Sequence, residues 1–111
     1  VHADEKLLSQ VLINLLKNAM QALEGQADGK IRMEVDTEKN QLLIRVTDNG
    51  PGVPSDLIED IFVPFFTTKA TGSGIGLSLS RQIIRMHGGE LSVASLPYRE
   101  TCFTVSLPVK P

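Results

Sequence analysis

Asn14 and Asn18 lie four residues apart in a segment whose apolar residues recur at helical spacing, so their amides share one helix face, with Gln10 one turn back. Ile13, Leu15, Leu16 and Ala19 are their neighbours, which sets the amide stripe at the border of a buried side. A buried amide costs free energy unless it is paired. Hydrogen bonds to nearby backbone would meet that demand, and so would carbonyl oxygens offered to a hard cation such as Mg²⁺.

Asp48 closes an alternating run and is followed at once by Asn49-Gly50-Pro51-Gly52. A carboxylate at a strand end accepts hydrogen bonds, and two glycines beside it let a ligand approach bare backbone; the same letters also make an ordinary Asp-Asn-Gly-Pro turn. Gly72, Gly74 and Gly76 fall within one short stretch that feeds a helical pattern. Free N–H groups and the positive end of the helix dipole make such a start an anion site. Thr67, Thr68 and Lys69 add hydroxyls and a cation just upstream, although Lys69 by itself reads as a surface lysine. The glycine spacing is neither G-x-G-x-x-G after a strand nor G-x-x-x-x-G-K-[ST], which rejects the Rossmann and P-loop architectures.

These groups need elements to hold them. Asp4 caps a helix whose residues Leu8, Val11, Leu12, Leu15, Leu16, Ala19, Ala22 and Leu23 form its apolar face until Gly25 stops it. Ile31, Met33 and Val35, then Leu42, Ile44 and Val46, alternate on either side of the turn residues Asp36 to Asn40. They predict an antiparallel hairpin with one face in the core and Arg32, Glu34, Arg45 and Thr47 on the other. After the breaker-rich stretch at Asp48, a short helix capped by Ser55 runs through Leu57, Ile58 and Ile61. Phe62, Phe65 and Phe66 cluster around Pro64 as anchors of an irregular segment. From about Gly76, the residues Leu77, Leu79, Ile83, Ile84 and Met86 set a second long helix ending at Gly88-Gly89, followed by alternating runs Leu91 to Ser95 and Cys102 to Leu107. The order predicts an α+β fold, a two-layer α/β sandwich with helices packed on one face of a mixed, mainly antiparallel sheet.

Composition narrows the function classes. The chain has 111 residues, 41% of them hydrophobic, enough for one domain (residues 1–111) with a real core. Eleven basic against thirteen acidic residues give a formal charge of -2 with no basic stripe, which disfavours nucleic-acid binding through a phosphate footprint. No apolar run reaches the length of a membrane span, so no direct membrane contact is expected. Cys102 is the only cysteine, which excludes an intrachain disulfide, predicts a reducing, cytoplasmic setting and leaves too few Cys and His ligands for a clustered zinc site.

The order and spacing of four segments carry a resemblance. Asn14-Leu-Leu-Lys-Asn18-Ala, Asp48-Asn-Gly50-Pro-Gly52, Phe62-Val-Pro-Phe-Phe-Thr-Thr-Lys69 and Gly72-Ser-Gly74-Ile-Gly76-Leu77 resemble the N, G1, F and G2 boxes of the ATP-binding catalytic domain of two-component sensor histidine kinases. The likeness continues through His87-Gly88-Gly89 and the ending Phe103-Thr-Val-Ser-Leu-Pro108, and its Phe-Phe-Thr-Thr-Lys form is most similar to the nitrogen-regulator branch. The resemblance implies that Asp48 hydrogen-bonds the adenine amino group while Gly50 and Gly52 let the base approach. It implies that Asn18 holds Mg²⁺ with Asn14 in support, and that Thr68 and Lys69 meet the phosphates of ATP. Gly72, Gly74 and Gly76, with Leu77 following, would form the lid hinge and N–H cradle, and Thr101 would help hold adenine. In catalytic terms it points to Asn14, Asn18 and Lys69.

The phosphorylated histidine of this family sits on a separate dimerisation domain, so the resemblance implies a monomeric catalytic fragment of a homodimeric parent, serving a response regulator in a phosphorelay. His87 resembles a structural histidine, and His2 lacks the helical context for phosphorylation. Related ATPases of the gyrase, chaperone and mismatch-repair group, and the anti-sigma serine kinases, generally carry a glutamate where Asn14 stands. An amide takes no proton at neutral pH, which disfavours a general base on this helix. A degenerate nucleotide-binding adaptor is the non-enzymatic alternative, and the intact Asn18, Asp48 and glycine set argues against it.

Overall fold

The computed structural model describes residues 4–63, 76–96 and 99–109. Helix α1 (Glu5–Ala22) begins as expected: the Asp4 carboxylate accepts from the N–H groups of Lys6 and Leu7, satisfying two of the donors a helix start leaves free. The hairpin of β1 (Ile31–Glu38) and β2 (Gln41–Asp48) follows. Its turn is tighter than the sequence predicts. Only Lys39 and Asn40 lie outside the strands, both at positive φ, the two-residue loop whose twist matches that of paired strands. Helix α2 (Gly76–Met86) leads to β3 (Glu90–Leu96) and β4 (Glu100–Pro108).

The sheet order is β1-β2-β4-β3, and every pairing among the described strands is antiparallel. Register aligns the core-facing side chains in rows: Met33, Val46, Phe103 and Val93 form one, and Val35, Ile44, Val105 and Leu91 the next. The helices lie on this face, burying Val11, Leu15 and Ala19 of α1 and Ile83 and Ile84 of α2 against Val46, Leu91, Phe103, Val105 and Leu107. They run in opposite directions. Near the start of α1 the Asp4 N–H donates to Nε2 of His87 at 3.1 Å, while the His87 Nδ1 meets the Ile83 carbonyl at 2.8 Å. Nε2 thereby ties the end of α2 to the start of α1, while Nδ1 holds the ring against α2 itself, the structural role expected of His87.

Two expectations are corrected. The Ser55 helix is two short 3₁₀ turns, Ser55–Leu57 and Asp60–Phe62, neither with a side-chain cap; Ser55 is not a cap because Pro54, which has no side-chain acceptor, stands at that position. β1 does not bury one face: α1 packs over β2 and α2 over β3 and β4, leaving Met33 50% and Val35 62% exposed on the edge strand. Thr47 shares the other face with Arg32, as expected, and is buried there between Arg32 of β1 and Cys102 of β4.

Candidate functional site

One row of the core-facing side of the sheet differs from the others. Ile31, Asp48, Thr101 and Ser95 are register partners across β1, β2, β4 and β3, so the apolar floor ends in three polar side chains side by side. Asp48 and Thr101 are each only 3% exposed. A buried carboxylate needs hydrogen-bond donors. The N–H of Gly50 supplies one, 2.9 Å from Oδ1.

The turn after Asp48 is built tightly around that carboxylate. A methyl group at Gly50 would sit 2.9 Å from Asp48 Oδ1 and 3.1 Å from the Ala22 carbonyl at the end of α1, so a side chain there would push against the carboxylate. Gly52 turns the chain at φ +85°, a conformation that L side chains rarely adopt. Beyond it the Val53 N–H donates to Ser95 Oγ at 2.9 Å, and Ser95 Oγ lies 3.0 Å from Thr101 Oγ1. Asn49 fastens the opposite side of the turn: Oδ1 accepts from the Lys30 N–H at 2.7 Å, Nδ2 donates to the Asp28 carbonyl at 3.0 Å, and its own carbonyl accepts from Gln26.

A second cluster lies where the helices meet. Asn14 Nδ2 donates to Oγ of Ser80, which is fully buried, at 3.3 Å, and a methyl group at Gly76 would stand 3.9 Å from Asn14 Cγ. The first residue of α2 therefore abuts the amide face of α1. Asn18 is half-buried on that face and makes no hydrogen bond among the described residues. From Asn14 through Asn18 to Ala22, α1 rises about 12 Å and links the start of α2 to the turn at Gly50. Leu77 is half-buried in the first turn of α2 and packs on the core. Thr68, Lys69, Gly72 and Gly74 lie outside the described residues, as do His2, Phe65, Phe66 and Tyr98.

Below α2, the Arg81 guanidinium lies 4.1 Å over the Phe62 ring and reaches Glu59 and Glu90, each at 3.3 Å; Phe62 in turn meets Phe103 edge-on at 6.5 Å. The Glu90 carboxyl is desolvated in part, which would raise its pKa. Hydrogen bonds from Arg85, the Leu91 N–H and Arg81 outweigh that and hold it below the ordinary value.

Sequence reasoning missed Ser80 and Ser95. The signal for Ser95 was its parity, since it continues the face of Leu91 and Val93 and so puts a hydroxyl where an apolar residue is expected. Ser80 carried a similar sign, standing three and four residues before the buried pair Ile83 and Ile84.

A carboxylate in a polar row, a tight glycine turn beside it, and an amide face meeting a helix start thus lie along α1. Residues 3–111 match the family of histidine kinase-, DNA gyrase B- and HSP90-like ATPases. The chain belongs to this family. Within the family it is 48% identical over 112 residues to the signal transduction histidine-protein kinase AtoS of Escherichia coli K12, covering all of this chain and 18% of that protein. It is 40% identical over 119 residues to the sensory histidine kinase/phosphatase NtrB of Rhodobacter capsulatus, covering 97% of this chain and 33% of NtrB. The chain thus spans a third or less of the length of these curated relatives. Among solved structures, the catalytic domain of the histidine kinase ThkA superposes with a TM-score of 0.85 at 38% identity, over 96% of this chain and 68% of that one. The fold is therefore that of a histidine kinase catalytic domain. No helix among the described residues is long and apolar enough to cross a membrane.

Proposed function

We propose that this chain, acting as one domain over residues 1–111, binds Mg·ATP and positions its γ-phosphoryl group for transfer to a histidine on a separate dimerisation domain of a homodimeric parent kinase. That parent passes the phosphoryl group to a response regulator, and the chain works on the cytoplasmic side of any membrane anchor. The observation that carries this reading is the polar row of Asp48, Thr101 and Ser95, held against a glycine turn that leaves no room for a side chain at Gly50. Asp48 accepts from the adenine amino group, and Thr101 lies beside it at the base. Asn14 and Asn18 serve the phosphate end, where the start of α2 offers backbone N–H groups to negative charge.

The residues present fit a cation held jointly with phosphates. No group of three or more His, Cys, Asp or Glu among the described residues could hold a metal alone, while the Asn18 amide offers one hard oxygen and the phosphates would supply others. Mg²⁺, when bound, neutralises phosphate charge. Thr68 and Lys69 complete the phosphate contacts, and Gly72, Gly74, Gly76 and Leu77 the cradle. Catalysis on this account is positioning and charge stabilisation, with Asn14, Asn18 and Lys69 nearest the transferred group.

Asn14 favours a histidine kinase over a hydrolase or serine kinase. Its amide donates to Ser80 and has no basic site for a proton, whereas a neutral imidazole is already a nucleophile. Mixing the chain with its parent's helical domain, γ-labelled ATP and Mg²⁺ tests the proposal: acid-labile phosphohistidine is expected. Tight ATP binding without any such label would refute the kinase reading.

A further inference from the structure

Ser95 sits at the join of three elements. Its Oγ accepts the Val53 N–H at 2.9 Å, binding the end of the glycine turn to β3, and lies 3.0 Å from Oγ1 of Thr101, its partner on β4. A serine hydroxyl has one proton and two lone pairs. With one lone pair engaged by Val53, donation to Thr101 uses the proton and satisfies the half-buried group in both senses. The reverse, Thr101 donating to Ser95, would leave the Ser95 proton with no acceptor among the described residues. The buried Thr101 hydroxyl then keeps its own proton for the far side of the row, where Asp48 stands directly opposite on β2.

We infer that Ser95 is a positioning residue for base recognition, which fixes Thr101 as a hydrogen-bond donor beside the acceptor Asp48. Resting on the adenine-nucleotide reading above, this gives the pocket a polarity. An acceptor next to a donor complements the adenine edge, where the N6 amino donor lies beside a ring-nitrogen acceptor. Guanine presents the acceptor O6 in place of that amino group and so opposes the pattern. Ser95 would touch neither base; it acts through the rotor of Thr101 and through the Val53 end of the turn.

Calorimetric titration of Mg·ATP and Mg·GTP into the wild-type chain, Ser95→Ala and Ser95→Thr tests this, with circular dichroism and melting to confirm folding. Loss of one neutral hydrogen bond predicts an ATP affinity about 3- to 10-fold weaker in Ser95→Ala, with GTP changed by less than about twofold on the same grounds, so that the ATP:GTP preference collapses. Ser95→Thr, which keeps the hydroxyl, is expected to restore it. Should Ser95→Ala not fold, Ser95→Cys replaces it, because a thiol is a weak donor of similar size. Equal weakening of both nucleotides would mean that Ser95 merely braces the turn, and an unchanged ratio would mean that it does not act on the base. Either overturns the inference while wild-type ATP binding stands. A wild-type chain that binds neither nucleotide overturns the proposed function and this inference together.

Discussion

Asp48 and Thr101 face each other across β2 and β4 at the end of an otherwise apolar sheet face, and both are buried. The neighbouring row, Met33, Val46, Phe103 and Val93, is wholly apolar. A carboxylate and a hydroxyl side by side at the rim of a hydrophobic core suit the polar edge of a flat heteroaromatic ligand.

The tightness of the Gly50 turn makes it sensitive to one methyl group. Gly50→Ala must displace either the Asp48 carboxylate or the Ala22 carbonyl, which stand 2.9 and 3.1 Å from the new atom. Overpacking of this kind costs about 1–3 kcal/mol. Denaturant unfolding should show a lower midpoint, and ATP titration weaker binding; a variant matching wild type in both would show that the turn has slack.

Ser80→Ala removes the fully buried acceptor of the Asn14 amide. A lost neutral hydrogen bond predicts about 0.5–1.5 kcal/mol of destabilisation, read as a lower melting temperature. The same substitution made on an Asn14→Ala background should cost less, because the partner is already gone. Equal costs in the two backgrounds would show that the Ser80–Asn14 bond contributes nothing.

Glu90 gives a pH dependence with a definite sign. Its carboxyl is held below the ordinary glutamate value by Arg85, the Leu91 N–H and Arg81, against the opposing effect of partial desolvation. The folded state therefore favours the ionised form. The stabilisation is fully present above the unfolded value of about 4.3 and is lost as pH falls through the lower folded value. Wild type should melt higher than Glu90→Gln at pH 7, and the gap should close as the solution is acidified toward pH 3. A gap that is constant with pH would place its origin outside this titration.

Much of the scaffold was legible because its signals were local. The Asp4 cap, the apolar spacing from Leu8 to Ala19 and the Gly88-Gly89 stop each depend on a few adjacent residues, and the helices form there. The exposure of β1 was not legible, since alternation in Ile31, Met33 and Val35 tells which side chains share a face but not whether a helix reaches across to cover it. The candidate site divides in the same way. Asp48, Gly50 and Gly52 announce themselves in one short motif, and Asn14 and Asn18 in one helix face. Ser80 acts through a partner 66 residues away, and Ser95 through partners 42 and 6 residues away, so their roles depend on register and helix packing that no local pattern contains.

Calorimetric titration of Mg·ATP into the chain and its Asp48→Asn variant decides whether Asp48 reads the adenine of a bound nucleotide. The amide keeps the size of the side chain and an oxygen for the Gly50 N–H, but loses the charge that strengthens a hydrogen bond from the adenine amino group. If Asp48 reads the adenine, wild-type binding is saturable and the folded variant binds at least about tenfold more weakly, as expected for losing a bond to a charged group. Equal affinity in the two proteins, or no binding by the wild type, would contradict that role.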